Sequence, residues 1–84
     1  MKLPRDLGGE ELARRLAVFG YSVTRRSGSH IRLTSNHKGS EHHVTIPVHH
    51  VLKIGTLAAV LKDVAAYLEM DRGAVDRELF RSRR

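Results

Sequence analysis

The sequence contains no cysteine and no tryptophan, and its aromatic residues are two tyrosines and two phenylalanines. Without cysteine the chain forms no disulfide and offers no thiolate to a metal, which is typical of proteins from reducing compartments. No apolar run approaches the ~18 residues of a transmembrane helix, and the amino terminus lacks the apolar stretch of a signal peptide. We therefore expect a cytoplasmic protein without a membrane partner. The scarcity of aromatic side chains also argues against a sheet that reads RNA by base stacking.

Acidic residues are few as well, because 9 Asp and Glu stand against 15 Lys and Arg and leave a formal net charge of +6. A chain of 84 residues is expected to form one domain, spanning residues 1–84, with a small core. So basic a surface favours a polyanion as partner, most often a nucleic acid. Charge alone would equally suit an acidic protein partner, or would simply keep the protein in solution.

Hydrophobic periodicity divides the chain into helices and strands. Leu12, Leu16 and Phe19 form one stripe of a helix over Glu10–Phe19, which Gly20 ends. Apolar and polar residues then alternate as they do in strands that have one buried face. The predicted strands are Tyr21–Arg25, Ser29–Thr34 and His42–Ile46.

The second helix gives the strongest periodic signal in the sequence. It is predicted to open at Gly55 and Thr56, and its apolar positions are Leu57, Val60, Leu61, Val64 and Leu68. Asp71 is predicted to cap a short final helix that carries Val75 and Leu79. The order α-β-β-β-α, with a short extra C-terminal helix, predicts an α+β two-layer sandwich resembling the double-stranded RNA-binding domain.

The predicted strands share one polar face, formed by Ser22, Thr24, His30, Arg32, Thr34, His43 and Thr45. If the apolar residues of the first two strands are to share the other face, a two-residue turn at Ser27 and Gly28 is unsuitable. A three-residue loop over 26–28 fits, because Gly28 then occupies the left-handed position on which such loops end. This register places Thr24 opposite His30.

Most of the candidate catalytic and phosphate-binding residues lie in the first hairpin. His30 follows the turn and is the candidate catalytic residue, since an imidazole moves protons near neutral pH. The candidate phosphate ligands are Arg32 and, to a lesser degree, Arg25, Arg26 and Lys38, with Ser29 orienting the phosphate and His43 as a second proton-transfer or RNA-binding group. The plainer interpretation is an exposed strand histidine beside a solvated basic rim.

Two histidine pairs, His42–His43 and His49–His50, suggest metal ligands at first sight. Adjacent strand residues point to opposite faces, so neither pair readily gives both rings to one ion. Structural zinc sites also close with four well-spaced ligands, and we expect neither a metal nor a cofactor. His37 and His42 are interpreted as solvent-exposed loop residues.

Several short motifs occur in order along nearly the whole chain. They are Lys2-Leu3-Pro4-Arg5, Phe19-Gly20-Tyr21, Gly28-Ser29-His30, Val44-Thr45-Ile46-Pro47-Val48-His49, Gly55-Thr56-Leu57 and Val60-Leu61-Lys62. In this order and spacing they resemble the HicA (YcfA-like) family of toxin–antitoxin systems. The sequence departs from the family pattern at Ile54, where lysine or proline is more usual, and in the longer stretch 64–71.

The resemblance implies a small mRNA-cleaving toxin that a HicB-type antitoxin holds inactive. The catalytic histidine of the family, in its Gly-Ser-His motif, falls on His30. Our first hypothesis is therefore a metal-independent endoribonuclease acting on single-stranded RNA, monomeric when free, whose antitoxin covers the His30 face. A non-catalytic RNA-binding module is the alternative, and a module that docks an acidic protein is a third.

Overall fold

The order of helices and strands is seen in a computed structural model of the chain, which describes Pro4 and residues 6–81. Helix α1 spans Gly9–Arg15 and continues as a 3₁₀ turn over Leu16–Phe19, and helices α2 and α3 span Ile54–Leu68 and Arg72–Leu79. Strands β1, β2 and β3 span Ser22–Ser27, His30–Ser35 and His42–Pro47. The predicted α-β-β-β-α order with a short final helix is confirmed. Lys2, Leu3 and Arg5 of the first motif lie outside the described residues.

The three strands form an antiparallel sheet in the order β1-β2-β3, and the helices cover one of its faces. Alternate residues of β2 and β3 point into the core, where Ile31, Leu33 and Ile46 are fully buried. The helices meet them with apolar stripes spaced three and four residues apart. The predicted stripe positions are all buried, namely Leu12, Leu16, Phe19, Leu57, Val60, Leu61, Val64, Leu68, Val75 and Leu79. This arrangement is the predicted two-layer sandwich.

The first helix ends where the sequence predicts, at Gly20, whose φ of 84° is left-handed. Tyr21 is buried, but it precedes β1 and is not the first residue of that strand. Strand β2 extends one residue beyond the predicted end at Thr34, to Ser35. The Ser35 hydroxyl is buried; it donates to the carbonyl of Phe19 at 2.9 Å and accepts from the amide of His37 at 3.1 Å.

The turn of the first hairpin differs from the prediction. The loop has two residues, Gly28 and Ser29, and Ser27 lies opposite His30. Gly28 has a φ of +57°, whereas Ser29 is not among the residues of positive φ, which is the pattern of a type II′ turn. The predicted three-residue loop, and with it the pairing of Thr24 with His30, is wrong.

A β-bulge in β1 explains the error. The register shifts between Val23 and Arg25, so that Arg25 lies opposite Arg32 and Val23 opposite Leu33. A bulge adds one residue to one strand and thereby reverses the faces to which the following side chains point. The apolar residues of the two strands do share a face, as the sequence requires, but the extra residue at Thr24 achieves it with a different register.

The second helix begins earlier than predicted. Its first residue is Ile54, and Lys53 is the N-cap, so Gly55 and Thr56 lie within the first turn and not at the cap. Asp71 does occupy the N-cap position of α3, although its side chain makes no capping hydrogen bond. None of the helices in the described part of the chain is both long and apolar enough to cross a membrane.

The start of α1 closes the outer edge of β3. The Gly9 amide donates to the carbonyl of His49 at 3.0 Å, and the Leu52 amide donates to the carbonyl of Leu7 at 2.8 Å. A Cβ atom at Gly9 would overlap the carbonyl oxygen of Pro47, so only glycine permits this close approach. The contact fixes the course of the chain as it leaves the sheet.

Candidate functional site

The polar face of the sheet remains uncovered by the helices, and we call it the open face. It carries Arg25 and Ser27 of β1, His30, Arg32 and Thr34 of β2, and His43 and Thr45 of β3. Arg32 lies opposite Thr45, and Thr34 lies opposite His43. Side chains of directly paired residues lie close together on one face, so the predicted polar face of β2 and β3 is confirmed.

His30 is the first residue of β2 and stands at the edge of the open face beside the turn. Ser27 lies opposite it on one side and Pro47 on the other. The residue is exposed. Hydrogen bonds to histidine rings in the described part of the chain fall on His42 and His43, and none falls on His30. Its imidazole is therefore available to a ligand.

Two arginines face each other next to His30. Arg25 and Arg32 are direct cross-strand partners, and Arg32 follows His30 by two residues, or about 7 Å along the strand. Within residues 6–81 the arginine ion pairs involve other side chains, namely Arg14, Arg15, Arg26, Arg72 and Arg81. Like charges directly opposite each other destabilise a sheet, and an anion placed between them would remove that cost.

Arg26 lies on the other face. It is paired with the buried Ile31, and its guanidinium grips the carboxylate of Glu10 in α1 through two hydrogen bonds of 3.0 and 3.1 Å. This bond holds the pKa of Glu10 below its ordinary value and raises the pKa of Arg26. The structure therefore does not bring Arg26 to His30, although the two are close in sequence.

Of the remaining predicted phosphate ligands, Ser29 lies beside His30 and Lys38 lies far from it. Ser29 is in the turn directly before His30, and its carbonyl is held by the amide of Val48 at 2.7 Å. Lys38 lies in the loop after β2, so the length of that strand, about 16 Å, separates it from His30. The Lys38 amide donates to the hydroxyl of Tyr67 at 2.9 Å. Ser29 is thus brought to the site, and Lys38 is not.

His43 shares the open face with His30 but lies farther along it. Its Nδ1 is 2.8 Å from the Thr34 hydroxyl, which is in turn 2.8 Å from the hydroxyl of Thr24. Four residues of β2 separate Thr34 from His30, which corresponds to about 13 Å. The rows of His30 and His43 are therefore about 13 Å apart, with Arg32 midway between them, and a role for His43 in proton transfer stays a prediction.

His42 is not a solvent-exposed loop residue, and that prediction is wrong. It lies on the face that the helices cover, in line with Val44 and Ile46. Its Nδ1 is 2.6 Å from the Tyr21 hydroxyl, its Nε2 is 3.2 Å from Asp63, and its ring stacks on Tyr67 at a centroid distance of 4.6 Å. Burial raises the pKa of Tyr21, so its hydroxyl stays protonated.

A cavity of about 660 Å³ lies between α1 and α3, away from the open face. Its arginines are engaged with carboxylates, Arg14 with Glu11 at 2.6 Å and Arg81 with Glu78 at 2.6 Å. In the described ranges no three His, Cys, Asp or Glu side chains are grouped as metal ligands would be. The guanidinium groups of Arg25 and Arg32 and the imidazole of His30 lie instead on the open face.

Comparison with protein families identifies a matching family. The family model described as HicA toxin of bacterial toxin-antitoxin matches residues 9–65 of the 84-residue chain. The matched segment begins with α1, includes the three strands with His30, and ends within α2. No curated protein and no solved structure matches the chain.

Proposed function

The chain belongs to the HicA toxin family of bacterial toxin–antitoxin systems, and from this premise we propose that it is an endoribonuclease that cleaves mRNA. The substrate is single-stranded RNA, bound across the open face at the turn of the first hairpin. No metal takes part in the proposed reaction. His30 performs proton transfer.

One observation carries this proposal. The exposed His30 stands beside two guanidinium groups, of Arg25 and Arg32, that face each other and have no carboxylate partner among the described residues. Guanidinium groups bind phosphate oxygens with two parallel hydrogen bonds. A phosphodiester held by this pair would have its reacting oxygens within reach of the imidazole, which lies about 7 Å along the strand.

The chemistry follows from the properties of RNA. A base removes the proton of a ribose 2′-hydroxyl, the oxygen attacks the adjacent phosphorus, and an acid gives a proton to the departing 5′-oxygen. Arginines aimed at the phosphate stabilise the negative charge that develops on its non-bridging oxygens. His30 takes one of the two proton-transfer roles, and Arg25 and Arg32 hold the charge.

The test is cleavage of labelled single-stranded RNA by the pure protein in excess EDTA. Wild type is expected to cleave, and His30→Ala to lose about 10²–10⁴-fold in rate, as removal of a general acid or base does. His37→Ala removes an exposed loop histidine and is the matched control, with wild-type activity expected. If RNA is retarded on a native gel but remains intact with every variant, the protein is a binding module and the proposal fails.

The family also implies a partner, and we propose a HicB-type antitoxin that covers the open face. Such a partner would block RNA physically and would place acidic groups against Arg25 and Arg32, which have no described carboxylate partner. The proposal predicts competition, so that more antitoxin is needed for half-inhibition as the RNA concentration rises. Inhibition that is independent of RNA concentration would instead indicate binding elsewhere.

A further inference from the structure

The proposed reaction needs two proton-transfer groups, and a second histidine lies near His30. It is His49, in the segment that follows β3. Alternation along the chain indicates the side of the sheet to which His49 points, because Ile46 is fully buried and Val48 packs against the core. Neighbours in an extended chain point to opposite sides, so Pro47 and His49 both point to the open face.

Backbone contacts show that the chain is still extended at His49. The Val48 amide donates to the carbonyl of Ser29 at 2.7 Å, so the pairing with the hairpin runs past the end of β3. The carbonyl of Pro47 lies against Gly9, and the carbonyl of His49 accepts a hydrogen bond from the same residue at 3.0 Å. In an extended strand, carbonyls two residues apart point to the same side, as these two do.

This register makes His49 a diagonal neighbour of His30. Pro47 lies directly opposite His30, and His49 is two residues farther on. Diagonal neighbours across an antiparallel pair have Cα atoms about 7–8 Å apart, whereas four residues along the strand, about 13 Å, separate His30 from the partner of His43. His49 is exposed, so its ring is open to a ligand from the same side as that of His30.

We infer that His30 and His49 form the acid–base pair of the reaction, an inference that rests on the proposed endoribonuclease activity. One neutral imidazole takes the proton of the 2′-hydroxyl as the O2′–P bond forms. The other, protonated, gives its proton to O5′ as the P–O5′ bond breaks. The products are a 2′,3′-cyclic phosphate and a free 5′-hydroxyl, and exchange with water restores both rings. No further reactant is needed.

The test uses two RNA substrates that differ by one atom. The first is an oligonucleotide with the cleavage site mapped for wild type, and the second has sulfur in place of the 5′-bridging oxygen at that site. Sulfur leaves without protonation, so it removes the need for a general acid. The variants are His30→Ala, His49→Ala and His49→Gln, with His50→Ala, the adjacent exposed histidine, as control. Among the described residues, the hydrogen bond that His49 makes is the one its backbone carbonyl accepts from Gly9, so the variants should keep the fold, and thermal unfolding of each variant checks this.

Both His30→Ala and His49→Ala are expected to be about 10²–10⁴-fold slower than wild type on ordinary RNA. The sulfur substrate should restore the rate of one of them, which identifies the acid, and leave the other slow. Activity of both His49 variants within threefold of wild type on ordinary RNA, or restoration of neither histidine variant by sulfur, overturns the inference. If wild type cleaves and His30→Ala does not, the proposed function survives that result. Failure of wild type to cleave any RNA when the site is mapped overturns both.

Discussion

Two histidines of one sheet, His30 and His42, have opposite surroundings. His30 stands at the turn on the open face, and no described residue binds its ring. His42 stands at the far end on the covered face, where Tyr21 and Asp63 contact its two nitrogens and Tyr67 stacks on the ring. The ring of His42 therefore stabilises the fold, and that of His30 is free for chemistry. The difference follows from the face to which each residue points.

Both ring nitrogens of His42 have hydrogen-bond partners. The Tyr21 hydroxyl is 2.6 Å from Nδ1, and burial raises the pKa of this tyrosine, so the hydroxyl keeps its proton. Nε2 is 3.2 Å from the carboxylate of Asp63. Every polar atom of the ring is satisfied, which is the usual condition of a half-buried histidine.

Replacing each histidine by alanine should give the largest of the expected effects. His30→Ala is expected to lose about 10²–10⁴-fold in cleavage rate while its free energy of unfolding changes by no more than about 0.5 kcal/mol, as is usual for surface sites. His42→Ala should lose about 1–3 kcal/mol of stability, because the Tyr21 hydroxyl loses its acceptor. Urea unfolding and the RNA gel measure the two effects. Equal destabilisation by both variants would refute the distinction.

The faces of β2 and β3 could be predicted because period-2 alternation is a local property. It gave the core positions Ile31, Leu33, Val44 and Ile46, and it put His30 and Arg32 on the open face. The same alternation already indicated the covered face for His42, in line with Val44. The interpretation of His42 as a loop residue is inconsistent with this alternation. Its partners Asp63 and Tyr67 are distant in sequence, so the cluster itself could not be predicted.

The register of the first hairpin could not be derived in the same way. Alternation requires only that apolar residues share a face, and the bulge between Val23 and Arg25 satisfies this as well as an unbulged loop does. The energy difference depends on turn geometry at Gly28 and on the edge position of β1. The opposition of Arg25 to Arg32, the central feature of the candidate site, follows from that bulge and was therefore missed.

Tyr21→Phe tests the hydrogen bond between Tyr21 and His42 on the covered face. The variant should lose about 1 kcal/mol near neutral pH with its hydrogen bond to His42. Tyrosine in the unfolded chain releases its proton near pH ~10, whereas folded Tyr21, with its raised pKa, keeps it. The unfolded wild type thus binds fewer protons, and its stability falls above pH ~10. The variant lacks this loss. The urea midpoint of wild type should therefore exceed that of the variant at pH 8, and the two midpoints should lie closer together at pH 11. An equal difference between the two midpoints at pH 8 and at pH 11 would contradict this explanation.

Arg25→Gln and Arg32→Gln test the open face. Each should stabilise the free protein by about 0.2–1 kcal/mol, because the like charges no longer face each other. Each should also weaken RNA binding and reduce the slope of log affinity against log salt by about 1. Arg77→Gln, an exposed arginine of α3, is the matched control and should leave the slope unchanged. If the two open-face variants are instead less stable than wild type, repulsion between Arg25 and Arg32 does not lower the stability of the free protein.

Arg26→Gln should have the smallest effect and compares two adjacent arginines. Arg26 points away from the open face toward Glu10, so the salt slope of RNA binding should equal that of wild type. The hydrogen bonds from Arg26 lower the pKa of Glu10. Ionised Glu10 therefore contributes stability above its ordinary pKa, and this contribution is lost as the pH falls through the lowered pKa. Both side chains are about half exposed, and the contribution is correspondingly small. Wild type should therefore exceed the variant slightly at pH 7, and the difference should shrink as the pH is lowered below the ordinary pKa of Glu10 in urea unfolding. A salt slope reduced as much as by Arg25→Gln would mean that RNA reaches the covered face, and the division of the sheet into one structural and one chemical side would fail.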